Sequence, residues 1–298
     1  MGENKKLNTG ILKGVGFEID GWLDQSLEKG WKAGCAPHFS NKTTYLELLK
    51  ERSQAVDFRG LIRDIDARIR SNFYPPKPKS QSGKNWRFEP RSDIGSENSS
   101  PEVRLEREIV SQSKQKGLAW ANQSPVASGL LGPATDRRRA VDLVHERKGN
   151  AHYELIELKW NGDTPFFAAM EIVCYGLVYL LFRSHREKFT KLEARMLEAS
   201  VIGLRVLAPS FYYYPCNDRE QALQEIQSLI KIQSLISDAI GKIGEEKAQI
   251  AMDFRFWEIP HCKNPKDVPD SELKEAAERV LRREFHDLSV ARVTRQGD

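Results

Sequence analysis

Glu157 and Lys159 stand two residues apart at the end of an apolar run, Tyr153-Glu154-Leu155-Ile156, and Asp142 sits in an earlier run, Val141-Asp142-Leu143-Val144. Side chains alternate across a strand, so Glu157 and Lys159 emerge on the same face. The polar stretch from His145 to Asn150 has the length of a hairpin turn, which would set Asp142 beside them. Two carboxylates and an ammonium among aliphatic neighbours are costly to bury unless they pair with one another or bind a cation. The chemistry such a group could do is oxygen-donor binding of a divalent metal. A plainer reading of the same residues is an ion pair on a half-exposed strand.

Elements on both sides must position these groups. Upstream, Ser99-Ser100-Pro101-Glu102 is a helix start, with a serine cap, proline at the first helical position and an acid in the first turn. The helix runs over 101–117, and Glu106 lies three and four residues from Val103, Ile109 and Val110, on their inward face. A carboxylate there is the odd residue out. Glu102, one turn earlier, is its rival, with a plain role as complement to the helix dipole. Downstream, Thr164-Pro165 caps a helix from Phe166 to Phe182 that is apolar nearly all round. A membrane span tolerates a central carboxylate poorly, so the pattern predicts a buried core helix. Glu171 and Tyr175 lie one turn apart on it. Strands are expected at 118–122, 201–208 and 252–259, the second apolar enough for a sheet interior.

The acidic residue on one strand, the Glu-x-Lys triplet on the next and the αβββαβ order resemble the PD-(D/E)XK nuclease superfamily over about residues 99–210. The resemblance implies an α/β, restriction-endonuclease-like core with a mixed central sheet; it does not cover the N-terminal hundred residues, and the sequence pattern adds a mainly helical N-terminal region and extra C-terminal helices. It implies Asp142, Glu157, Lys159 and Glu106 as catalytic residues. Mg²⁺, with Mn²⁺ as a substitute, would be held by Asp142, Glu157, the Leu158 carbonyl and Glu106. Glu171 and Tyr175 look like the Q-x-x-x-Y element of RecB-like members, with glutamate in place of glutamine. The implied activity is hydrolysis of phosphodiester bonds, with DNA as the expected substrate and defence against foreign DNA as one setting. A catalytically silent nucleic-acid-binding subunit, or a latent subunit of a larger defence or repair complex, is the alternative.

The chain has 298 residues, 40% hydrophobic and 30% charged, with a formal net charge of +4. That is an ordinary globular balance and says little about polyanions; local clusters say more. Arg137, Arg138 and Arg139 precede the Asp142 strand, where a nucleic-acid backbone would pass, and Arg183, Arg186, Lys188 and Lys191 follow the buried helix. Four cysteines, Cys35, Cys174, Cys216 and Cys262, show no C-x-x-C spacing, and the first residues lead into no long apolar run. A cytoplasmic, reducing setting is therefore expected, and the spacing of His261, Cys262 and Cys216 is irregular for zinc.

The expected organisation is an accessory region at 1–73, a partly docked linker at 74–98, the nuclease core at 99–262, and a C-terminal helix with a basic tail at 263–298. Within the first, Gly16 to Leu23 reads as strand and turn, and 43–72 as one or two amphipathic helices. A long helix over 218–247 carries an apolar stripe through Leu223, Ile226, Leu229, Ile230, Ile236 and Ile243. A homodimer contact or a partner protein could use that stripe or the N-terminal region; no membrane association is expected.

Overall fold

The computed structural model describes residues 7–27, 38–50, 57–74, 82–91, 99–132, 134–147, 151–189, 192, 194–214, 219–262 and 268–288. The expected basic tail, most of the linker, Cys35, Cys216 and Lys191 lie outside the described residues. The chain is an α/β protein with a six-stranded mixed sheet in the order β1-β2-β3-β4-β5-β6. The strands are β1 (Trp120–Pro125), β2 (Ala140–Arg147), β3 (His152–Leu158), β4 (Val201–Pro209), β5 (Ala251–Ile259) and β6 (His286–Asp287). The pairs β1/β2, β2/β3 and β5/β6 are antiparallel, and β3/β4 and β4/β5 are parallel.

Parallel neighbours need a crossover connection. Helix α5 (Pro165–Ser184) joins β3 to β4; α7 (Arg219–Ala248), preceded by the short α6 (Ser210–Tyr213), joins β4 to β5. Both pack on one face of the sheet. The other face is covered by α4 (Pro101–Gln115) and α8 (Asp270–Leu281), which also pack on each other. Helices α1 (Val15–Ser26), α2 (Lys42–Lys50) and α3 (Phe58–Phe73) complete the set. Both α1 and α3 share the apolar core of α5 and α7, with Trp22 stacked on Phe166 at 6.3 Å.

Local chemistry sets the helix starts as the sequence implies. Ser100 Oγ accepts the Val103 N–H at 3.3 Å, and Thr164 Oγ1 accepts the Phe167 N–H at 3.2 Å. Helix α5 is apolar enough to cross a membrane, yet all of its apolar window is buried within the protein. It lies so close to β4 that a Cβ on Gly176 would come within 2.7 Å of Leu204 Cδ1.

Two expectations are corrected. Residues 16–23 form part of α1 rather than a strand and turn: Val15, Ile19 and Leu23, spaced by four, are buried on one face, and that packing overrides the weak helix propensity of Gly16 and Gly21. His145 to Arg147 continue β2, pairing with Glu154, Tyr153 and His152, so the turn is shorter than the polar stretch suggests. The α7 stripe packs on β5, α3 and α5 of its own chain through Leu229, Ile236 and Ile243, while Ile226 is buried in a small cluster with Ala222 and Tyr214. The segment 82–91 runs along β1: the Trp86 N–H donates to the Pro125 carbonyl at 2.8 Å, and the Trp86 ring meets Tyr179 of α5 edge-on at 5.3 Å.

Candidate active site

The β2/β3 pairing runs as far as Leu143 and Ile156, just short of Asp142 on β2 and Glu157 on β3. Each of these two carboxylates has its own partner. Asp142 Oδ2 accepts the Leu158 N–H at 3.0 Å, and Glu157 Oε1 lies 2.9 Å from Lys159 Nζ. Just past the end of β3, the Lys159 N–H donates to the Leu207 carbonyl at 2.9 Å, which carries the parallel pairing one residue further.

Lys159 is the centre of the group. Its side chain is 7% exposed, and its ammonium lies 3.0 Å from Asp163 Oδ2 and 3.7 Å from Glu171 Oε2 as well as against Glu157. Burial works against an ammonium, but the three carboxylates outweigh it and hold the Lys159 pKa well above the usual lysine value. Tyr175 donates its hydroxyl to Glu171 Oε1 at 2.8 Å, one helical turn away as the spacing implies. Burial, then the Glu171 and Glu157 charges, push the Tyr175 pKa up, so it stays a phenol.

Helix α4 brings two further acids from the opposite layer. Glu106 is 2% exposed and accepts from the Asn122 carboxamide at 3.0 Å and the Gln123 carboxamide at 3.1 Å. Burial first and the Asp142 carboxylate second raise it from 4.5 to about 8, against the pull of those two donors. Gln123 holds this position from a left-handed backbone, φ 46°. Glu102 accepts the Trp160 N–H at 3.0 Å; burial raises its pKa, and Lys159 draws it back down. Both rivals on α4 therefore reach the group, Glu106 toward Asp142 and Glu102 toward Lys159.

No family model, curated protein or solved structure matches the chain.

Among the described residues no three His, Cys, Asp or Glu side chains stand close enough together to hold a metal ion. The donors nearby are oxygens, the kind a hard cation takes. Glu157, Asp163, Glu171 and Glu102 lie around Lys159, and Asp142 lies in the field of Glu102 and Glu106. Mg²⁺ keeps several waters and is ordinarily held by one or two carboxylates with substrate phosphate rather than by an all-protein cage. Glu106 is engaged by its two carboxamides, and Asp142 by the Leu158 N–H.

Of the three arginines before β2, Arg137 and Arg138 are exposed. Arg139 turns inward: it is 8% exposed, lies 2.9 Å from Asp136 Oδ1 and donates to the Thr9 carbonyl at 3.1 Å. That commitment ties the N-terminal residues to the β2 entry. Arg183 likewise serves the fold, donating to the Leu197 and Ala199 carbonyls. Sequence reasoning missed Asp163, Tyr212, Asn122 and Gln123. Asp163 follows Lys159 by four in the turn before α5, a spacing that carries signal only once the turn's shape is known. Tyr212 lies beyond β4, far along the chain.

Proposed function

We propose that the chain is a divalent-metal-dependent nuclease of the PD-(D/E)XK kind, hydrolysing phosphodiester bonds of DNA on a restriction-endonuclease-like core. The observation that carries the reading is Lys159 held 2.9 Å from Glu157 while Asp142 accepts the N–H of Leu158, the residue between them, at 3.0 Å. Asp142, Glu157 and the Leu158 carbonyl would hold Mg²⁺, or Mn²⁺ in its place, which when bound supplies an acidified water and neutralises phosphoryl charge. Lys159, kept charged by its carboxylates, orients the attacking water and stabilises negative charge developing on the phosphoryl oxygens; a lysine so held does not serve as the base. Tyr175 fixes Glu171, and Glu171 backs the ammonium. Glu106 shares the Asp142 field from the α4 side. The exposed Arg137 and Arg138 lie at the entry to β2, where they would meet backbone phosphates. Free Cys174 and Cys262 agree with a cytoplasmic setting.

The test is cleavage of circular duplex, linear duplex, single-stranded DNA and RNA with Mg²⁺, with Mn²⁺ and with chelator. The expected result is metal-dependent cleavage lost in Asp142→Asn and Glu157→Gln. Binding of nucleic acid without cleavage under every condition would favour the silent binding subunit instead.

A further inference from the structure

A buried lysine on a flexible four-carbon stem is placed by what surrounds its ammonium, because the stem itself fixes little. One neighbour of Lys159, Glu157, comes from the same strand. The second at hydrogen-bond distance is Asp163, from the turn between β3 and α5, at 3.0 Å. Asp163 is itself 7% exposed, and its other oxygen accepts the Tyr212 hydroxyl at 2.8 Å. Tyr212 belongs to α6, which follows β4, so the hydroxyl ties the turn after β3 to the end of the neighbouring strand. Burial and the nearby Asp163 charge keep Tyr212 a phenol and therefore a donor. The turn thus acquires an anchor from the neighbouring strand at one of the two carboxylates within hydrogen-bond distance of the ammonium.

We propose that Asp163, steadied by the Tyr212 hydroxyl, is a positioning residue that sets the Lys159 ammonium for phosphodiester cleavage, an inference that rests on the nuclease reading above. Neither residue need touch substrate. Both act through Lys159, and a catalytic group displaced by about 1 Å can lose about 100-fold in rate.

The experiment compares wild type, Asp163→Asn, Tyr212→Phe and the double variant in steady-state cleavage with Mg²⁺, together with crystal structures of wild type and each single variant. The expected result for Asp163→Asn is a loss of kcat of about 10- to 100-fold, the range seen for groups that orient a catalytic residue from behind. KM should hold, since no substrate contact is removed. Tyr212→Phe should lose less. The double variant should lose no more than Asp163→Asn alone, because both act along one line. In the crystals the Lys159 ammonium should shift in Asp163→Asn. A wild type that cleaves, with Asp163→Asn retaining its kcat or the double variant showing additive losses, overturns the positioning role and leaves the nuclease reading standing. A wild type that cleaves nothing overturns the nuclease reading, and the crystals then decide the placement: an unmoved ammonium overturns it. Should Asp163→Asn fail to fold, Tyr212→Phe, which keeps the ring and the ion pair, decides by the same readouts.

Discussion

The ammonium of Lys159 lies 3.7 Å from the carboxylate of Glu171, so the residue following β3 and the middle of α5 meet at a buried charge inside an otherwise apolar interface. Both groups are almost wholly withdrawn from water. The ammonium is tolerable because of Glu171 and the carboxylates beside it, and Glu171 because of the ammonium and the Tyr175 hydroxyl it accepts.

From this follows an expected outcome for Lys159→Ala. Cleavage should be abolished, but the fold should weaken too, by about 3–5 kcal/mol, because three buried carboxylates lose their counter-charge. Urea unfolding measures it. A Lys159→Ala variant as stable as wild type would show that the cluster is far better solvated than the burial of Lys159 implies.

Glu106 gives the pH dependence. Its pKa is raised from 4.5 to about 8, so between those values the folded chain holds a proton that the unfolded chain has released. Stability then falls as pH rises through that window. Glu106→Gln removes this contribution. Its stability relative to wild type should therefore improve from about pH 5 to about pH 8 and level off above. Unfolding at three pH values across the window checks the slope, and a slope of opposite sign contradicts the placement.

The three arginines before β2 should separate by experiment. Arg139→Ala should lower the melting temperature, since it strips the partner from Asp136 and from the Thr9 carbonyl. Arg138→Ala should leave stability alone, and Arg137→Ala and Arg138→Ala should both weaken nucleic-acid binding, each reducing the salt slope of the affinity by about 1. Fluorescence anisotropy over a salt series reads the difference.

Trp86 docks the segment 82–91 onto α5, fully buried between Tyr179 and Phe182. Trp86→Ala should cost about 3–5 kcal/mol, as truncation of a large buried aromatic does. Unchanged stability on denaturant unfolding would mean that this segment is not part of the cooperative core.

Short-range order was legible in the chain. Ser100 and Thr164 cap the helices they precede, the strands at 201–208 and 252–259 sit within a residue or so of β4 and β5, and the two-residue period of β3 put Glu157 and Lys159 on one side. These features depend on neighbours a few positions away, and backbone geometry alone converts such spacing into a shared face. Only the tertiary structure decided that Asp163 and Tyr212 converge on Lys159, that Asn122 and Gln123 engage Glu106, that Arg139 turns inward while Arg137 and Arg138 do not, and that the α7 stripe covers its own sheet. Each of these joins residues far apart in the chain or depends on which buried group wins a given partner. Burial makes an unmatched charge expensive enough to select among arrangements that look equivalent in sequence.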